Sequence, residues 1–141
     1  MLLAGATIDL GMFAGSFDEY LAWVVPGSPA IPVTQHVLGQ SMIDRRGDTA
    51  LVETHVTAYH RVAGSGADRD TVIGGRYLDR MAKRGADWCI GQRTMLYDWY
   101  QDFGQSADWS HGMMGMPLRG GHYTGRAVDD YSETFFGKGA K

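Results

Sequence analysis

His36, His55, His60, His111 and His122, together with the single cysteine Cys89, are the side chains of this 141-residue chain best suited to proton transfer or nucleophilic chemistry near neutral pH. His36 stands in "TQHVLGQSMID", a run that otherwise alternates like a half-buried strand. An imidazole in that setting has two readings. It is a proton carrier facing a pocket, since an unperturbed pKa of about 6.5 suits a base at neutral pH, or it is a core residue satisfied by a hydrogen bond. His55, His111 and His122 lack the spacing of metal ligands, and no His/Asp/Glu cluster has the form of a zinc site, so no metal is expected. Cys89, between Trp88 and Ile90, reads as a small core residue. "GSG" at Gly64–Gly66 and "GG" at Gly74–Gly75 do not lead from a strand into a helix, which argues against a nucleotide loop. The second pair reads instead as a bulge that bends its strand. The group Met113, Met114 and Met116 has two readings as well, an adaptable lid over an apolar ligand or packing at a subunit contact.

Positioning these residues falls to one helix and a set of long strands. "ATIDLGMFAG" breaks at Gly11 and predicts a short strand pair. In "SFDEYLAWVVP", Ser16 followed three residues later by Glu19 forms a capping box, and Phe17, Tyr20, Leu21 and Val24 give a helix over Phe17–Val25 one apolar stripe before Pro26, Pro29 and Pro32 stop it. From residue 33 the period is two. "VTQHVLGQSMI" and "TALVETHVTAYHRV" flank the turn "DRRGD", and "TVIGGRYLDRMA" and "WCIGQRTMLYDWY" flank "KRGAD", with Gly47 and Gly85 in the turns. Beyond Trp99 no period persists, apart from a short helical turn near Asp129–Phe136.

Alternation sorts the polar residues by face. Ala50, Val52, Thr54, Val56, Ala58, His60 and Val62 share the drier face of their strand, and His55 shares the wetter one. A turn centred on Arg46 puts His36 opposite Val56, on the same inner face as His60 but about 13 Å from it. That separation is too long for a shared hydrogen bond or metal and fits two walls of one small-molecule pocket. On the last strand Cys89, Arg93, Met95, Tyr97 and Trp99 are expected on one face. Arg93 there either stacks on aromatic rings and pairs with Asp79, or presents its guanidinium fork to an anionic substrate group.

The totals describe a globular chain: 44% hydrophobic and 21% charged residues are enough for a core without staples. A single domain over residues 1–141 is expected, with the sheet and helix in 1–100 and a loop-rich tail in 101–141. A net charge of −3 without a basic stripe argues against nucleic acid as a partner. One cysteine excludes an intrachain disulfide and fits a reducing compartment. The start "MLLAGATIDLGMF" has neither signal-peptide nor membrane-span character, so a cytoplasmic protein without a membrane partner is expected.

"ATIDLGMFAGSFDEYLAW", "HVLGQSMIDRRGDTALVETHVTAYHR" and "GGRYLDRMAKRGADWCIGQRTMLYDW", with the late "DDYS", resemble the SnoaL-like branch of the nuclear transport factor 2-like superfamily. The resemblance implies an α+β fold in which a cone-shaped, strongly curved antiparallel sheet wraps around helices. It further implies elimination or isomerisation of a small apolar, aromatic or steroid-like molecule without a cofactor, as in scytalone dehydratase, bile-acid dehydratase and ketosteroid isomerase. His36 matches the strand histidine that removes the proton, His60 the second histidine of the scytalone dehydratase type, and Arg93 the late-strand arginine. His36 is therefore the expected catalytic residue, with Arg93, His60 and Tyr97 contacting substrate. The branch's aspartate and tyrosine lie on two helices ahead of the first strand, and this sequence starts at about that strand. Either the start is truncated or the protein has lost those helices, with its chemistry weakened accordingly. If active, it is a lyase or isomerase; the alternative is a non-catalytic small-molecule-binding or dimerisation module. A homodimer or higher oligomer is implied in either case.

Overall fold

The structure, a computed structural model, describes residues 2–24, 27–108, 110–125 and 130–137. The chain first lays down β1 (Leu2–Asp9), turns at Gly11 and returns as the short β2 (Ala14–Ser16), which runs directly into α1 (Phe17–Val24). Gly11 takes φ +76°, a backbone shape that side-chain-bearing residues avoid. Ser16 closes the capping box: its backbone N–H donates to Glu19 Oε2 at 2.8 Å, and the Glu19 N–H donates back to Ser16 Oγ at 3.2 Å. The helix ends at Val24; Val25 and Pro26 lie outside the described residues.

Four long strands follow as a meander: β3 (Val33–Arg46), β4 (Thr49–Val62), β5 (Arg69–Arg84) and β6 (Asp87–Gln105). Gly47 and Gly85 open the two-residue turns with φ near +60°, the shape a tight hairpin needs at that position. The sheet order is β2-β1-β6-β5-β4-β3. An antiparallel sheet was expected, but β1 joins β6 in parallel, so the six-stranded sheet is mixed. Alternation marks which face a residue takes and not which strand lies beside it, so this seam has no local signature.

The core gathers where α1 folds over the sheet. Ala6, Ile8 and Phe17 are buried, and Leu3, Leu10, Phe13, Tyr20 and Ile90 pack against them. The helix stripe is Phe17, Tyr20 and Trp23, with Trp23 stacked flat on Phe13 at 5.7 Å. Leu21 and Val24, expected in the stripe, are exposed and absent from these ring contacts, and Trp23 itself is largely exposed. At the far edge, every residue of β3 is exposed.

The register between β5 and β6 shifts at Gly74/Gly75, where a bulge was expected, but the extra residue is Asp98 on β6 and not in the glycines' own strand. A Cβ on Gly74 would strike the Trp99 indole, and one on Gly75 the Leu96 carbonyl. By contact the chain divides into two compact units, Met1–Ser106 and Ala107–Lys141, and β6 continues past residue 100 to Gln105. The second unit carries a bridge between Met113 and Met116 and a helix, α2 (Tyr131–Phe135). The Asp130 side chain caps α2 by accepting from the Ser132 N–H at 2.9 Å; Asp129, placed in this turn by the sequence, lies outside the described residues.

Candidate active site

Register decides which chemical groups meet. The β3–β4 turn falls on Gly47 and Asp48, not on Arg46, and a bulge between Leu38 and Ser41 shifts the pairing again. His36 therefore sits opposite Ala58, not Val56, and His60 is its diagonal neighbour on the same face. The 13 Å separation expected from the sequence is replaced by contact: Nε2 of His36 lies 3.4 Å from Nε2 of His60, with ring centres 5.4 Å apart and planes at 74°. A two-residue error in register accounts for the whole difference, because one residue pair along a strand moves a side chain by roughly 6.6 Å.

The other nitrogen of His36, Nδ1, lies 3.4 Å from the hydroxyl of Tyr77 on β5. Tyr77 rests its ring over the Arg93 guanidinium, 4.2 Å from its carbon to the ring centre. Arg93 in turn gives Nε and Nη2 to the two carboxylate oxygens of Asp79, each at 2.7 Å, and the Asp79 side chain is only 5% exposed. A line of side chains thus runs Asp79–Arg93–Tyr77–His36–His60 across four strands. The two readings of Arg93 are resolved geometrically: its fork is taken by Asp79 and its face by Tyr77.

Electrostatics follows from the same placement. Burial pushes the His36 pKa down, and burial plus the neighbouring His36 pushes that of His60 down. Both rings are therefore neutral at neutral pH, where an imidazole can accept a proton. Burial raises the Tyr77 pKa against the opposing pull of Arg93, which keeps the phenol protonated. The neutral line has two proton arrangements. With His36 protonated on Nδ1, it donates to Tyr77 and its Nε2 lone pair is free; with the proton on Nε2, it accepts from Tyr77 and donates to His60. Among the described residues no carboxylate hydrogen-bonds either imidazole.

Tyr97 shares the face of Arg93 and Tyr77, but its hydroxyl donates to the Leu10 carbonyl at 2.8 Å. Trp99 and Cys89, expected beside Arg93, are on the opposite face, because bulges at Gly74/Gly75 and Arg80/Met81 each invert the alternation of β6. Cys89 is buried, as its setting suggested. His55 faces away from the pair, opposite Arg76, whose guanidinium binds Asp98. Tyr77 is the member the sequence reading missed. Its signal was present in "GGRYLDR": on the inner-face parity of β5, it falls between Gly75 and Asp79.

A hollow of about 530 Å³ opens elsewhere, lined by Met42, Leu51, Glu53, Leu78, Arg80 and Thr94 among others. Register pairs Glu53 with Leu78 and Leu78 with Thr94, on the face opposite to Val52, Asp79 and Arg93. Most of the lining side chains thus lie on the face opposite to the histidines, while Ile43, Val52 and Asp79 of the histidines' face also border the hollow.

A family model described as a SnoaL-like domain matches residues 3–94. Among solved structures, the chain is similar to a scytalone dehydratase-like protein from Novosphingobium aromaticivorans, at 20% identity over 75% of this chain and 72% of that one, with a TM-score of 0.61. It is similar to a hexachlorocyclohexane dehydrochlorinase of LinA type 2, at 14% identity over 77% and 76%, with a TM-score of 0.64. The type 3 enzyme from Novosphingobium barchaimii gives 11% identity over 73% and 72%, with a TM-score of 0.61. These likenesses establish the α+β fold. No curated protein matches the chain.

Proposed function

The chain belongs to the family of SnoaL-like domains, and from that premise we propose that it removes a proton from a small apolar molecule, in an elimination or isomerisation that needs only its own side chains. His36 is the base. Its Nε2 takes a proton from a carbon next to an electron-withdrawing group, and its Nδ1–H is held by the Tyr77 oxygen, so the ring is fixed in the useful tautomer. Tyr77 fills the orienting place that a carboxylate holds in many base histidines, and Arg93 fixes the Tyr77 ring from beneath. His60 faces the reacting side of His36 and is placed to hydrogen-bond a departing hydroxyl or a carbonyl oxygen. Arg93, expected from the sequence to touch substrate, is in this reading a positioning residue. Tyr97 offers only its ring, with its hydroxyl turned to Leu10.

The observation that carries this reading is the Tyr77–His36–His60 contact line with both imidazoles neutral. Support from relatives is their chemistry: one solved neighbour is scytalone dehydratase-like and two are dehydrochlorinases. The test is a panel of small β-hydroxy ketones and halogenated cycloalkanes, followed for loss of water or chloride. Turnover that falls about 10²–10⁴-fold in His36→Ala supports the reading, and turnover indifferent to that change defeats it. A second reading, a non-catalytic binding module, draws on the 530 Å³ hollow lined mostly from the other face. Ligand binding that depends on Leu51 and Leu78, with no turnover of any panel member, would favour it.

A further inference from the structure

We infer that His36 and His60 form a two-histidine site for a borderline divalent transition cation such as Zn²⁺, Ni²⁺ or Cu²⁺. The argument rests on the distance between their facing nitrogens. A good N–H···acceptor hydrogen bond spans about 2.9–3.0 Å, and the observed 3.4 Å is long for one. Two nitrogens bound to the same zinc ion at about 2.0–2.1 Å, and subtending a tetrahedral angle, lie about 3.4 Å apart. The pair thus stands at the spacing of two ligands of one ion, with the rings crossed at 74° so that neither lies flat on the other.

Three further features fit. The Nδ1 of His36 faces the Tyr77 hydroxyl, the kind of outer partner that holds a ligating imidazole with its proton on Nδ1 and its Nε2 lone pair free. An ion can reach them, because His36 lies on the exposed edge strand β3. Both strands run extended and directly hydrogen-bonded at this point, so the nitrogens are held by rigid elements and not by a loop.

Among the described residues no third histidine, cysteine, aspartate or glutamate joins the pair. The protein supplies two ligands, and water or a donor atom of a small molecule completes the shell. Such an ion is open to exchange and binds more weakly than a four-ligand structural zinc. Imidazole donors select the later first-row cations and zinc and discriminate against Mg²⁺. Binding does not depend on the catalytic reading. Its consequence does: an ion on Nε2 occupies the lone pair that the base uses, so Zn²⁺ would suppress His36-dependent turnover.

The experiment is titration of untagged, EDTA-stripped full-length protein with ZnCl₂ at pH 7.5, read by calorimetry and by ¹⁵N shifts of the histidine rings. One ion per chain is expected, with Nε2 of His36 and His60 shifting and the ring of His55 unmoved. His36→Ala and His60→Ala should each weaken binding at least tenfold, His55→Ala should leave it unchanged, and MgCl₂ should give no heat. Melting curves in EDTA verify that each variant is folded. No ring shift in the wild-type protein at millimolar Zn²⁺, or binding that survives both substitutions, overturns the inference. Turnover is not a readout here, so a failure of the catalytic reading leaves this result to stand or fall alone.

Discussion

Asp79→Asn removes one charge from the most buried ion pair of the sheet. Asp79 is 6% exposed and receives two guanidinium nitrogens at 2.7 Å, while Arg93 retains 23% exposure of its side chain. Breaking a buried pair by deleting one partner costs about 3–5 kcal/mol, because the other charge is stranded. Water can reach part of Arg93, which places the expected loss near the lower end, ~3 kcal/mol. For a chain of this size that corresponds to a fall in Tm of about 10 °C. The clean measurement is urea unfolding followed by circular dichroism, with the m-value checked for constancy. Replacing both partners, Asp79→Leu with Arg93→Met, removes the stranded charge and should recover most of the loss. A loss below about 1 kcal/mol in Asp79→Asn, or a double variant as unstable as the sum of the singles, would refute the view that the pair is a mutually dependent unit beneath Tyr77.

Tyr77→Phe keeps the ring over Arg93 and deletes the contact to Nδ1 of His36; kcat should fall about tenfold with KM little changed, measured on any panel substrate that turns over. Asp70 accepts from Arg61, Tyr59 and Ser106, and hydrogen bonding, from Arg61 first, lowers its pKa to about 2 from 3.8. Because the folded value is the depressed one, this contribution is present above about pH 4 and disappears as pH falls toward 2; it is about 2 kcal/mol before screening, and urea unfolding against pH should show it in the wild type and not in Asp70→Asn. Gly75→Val should unfold the protein or shift Tm down by more than 10 °C in a thermal melt, since its side chain would meet the Leu96 carbonyl and Met95. Ser16→Ala removes an N-cap whose oxygen accepts from Glu19, and urea unfolding should report a loss of about 1 kcal/mol.

Local chemistry was legible in the sequence and long-range arrangement was not. The capping box, the four-strand meander, both glycine turns, the place of the bulge at Gly74/Gly75 and the short helix near the end all come from neighbours in the chain. Each error has a non-local cause. A turn centred one and a half residues beyond the expected place, partly offset by an unseen bulge at Leu38/Ser41, moved His36 from beyond reach of His60 into contact with it. Two more bulges carried Cys89 and Trp99 off the face of Arg93, because a single extra residue reverses every later side chain. Asp79 as a partner of Arg93 was within reach through charge complementarity alone, since the bulge at Arg80/Met81 lies between the turn and the pair and a simple hairpin register would set Asp79 opposite Gln92. Tyr77 was not, since its meeting with His36 depends on side chains that lean across two intervening strand gaps.

The parallel seam between β1 and β6 has a consequence for the order of assembly. Ile8 finds its place beside Arg93 only after β6 exists, whereas β3 through β6 join through short turns and can zip locally. During synthesis β1 emerges ahead of the meander and must wait on the order of ten seconds for β6 to leave the ribosome. Throughout that interval its apolar residues lack the β6 edge on which they will pair. Of these two strands, β1 is thus made before the meander and docked after it.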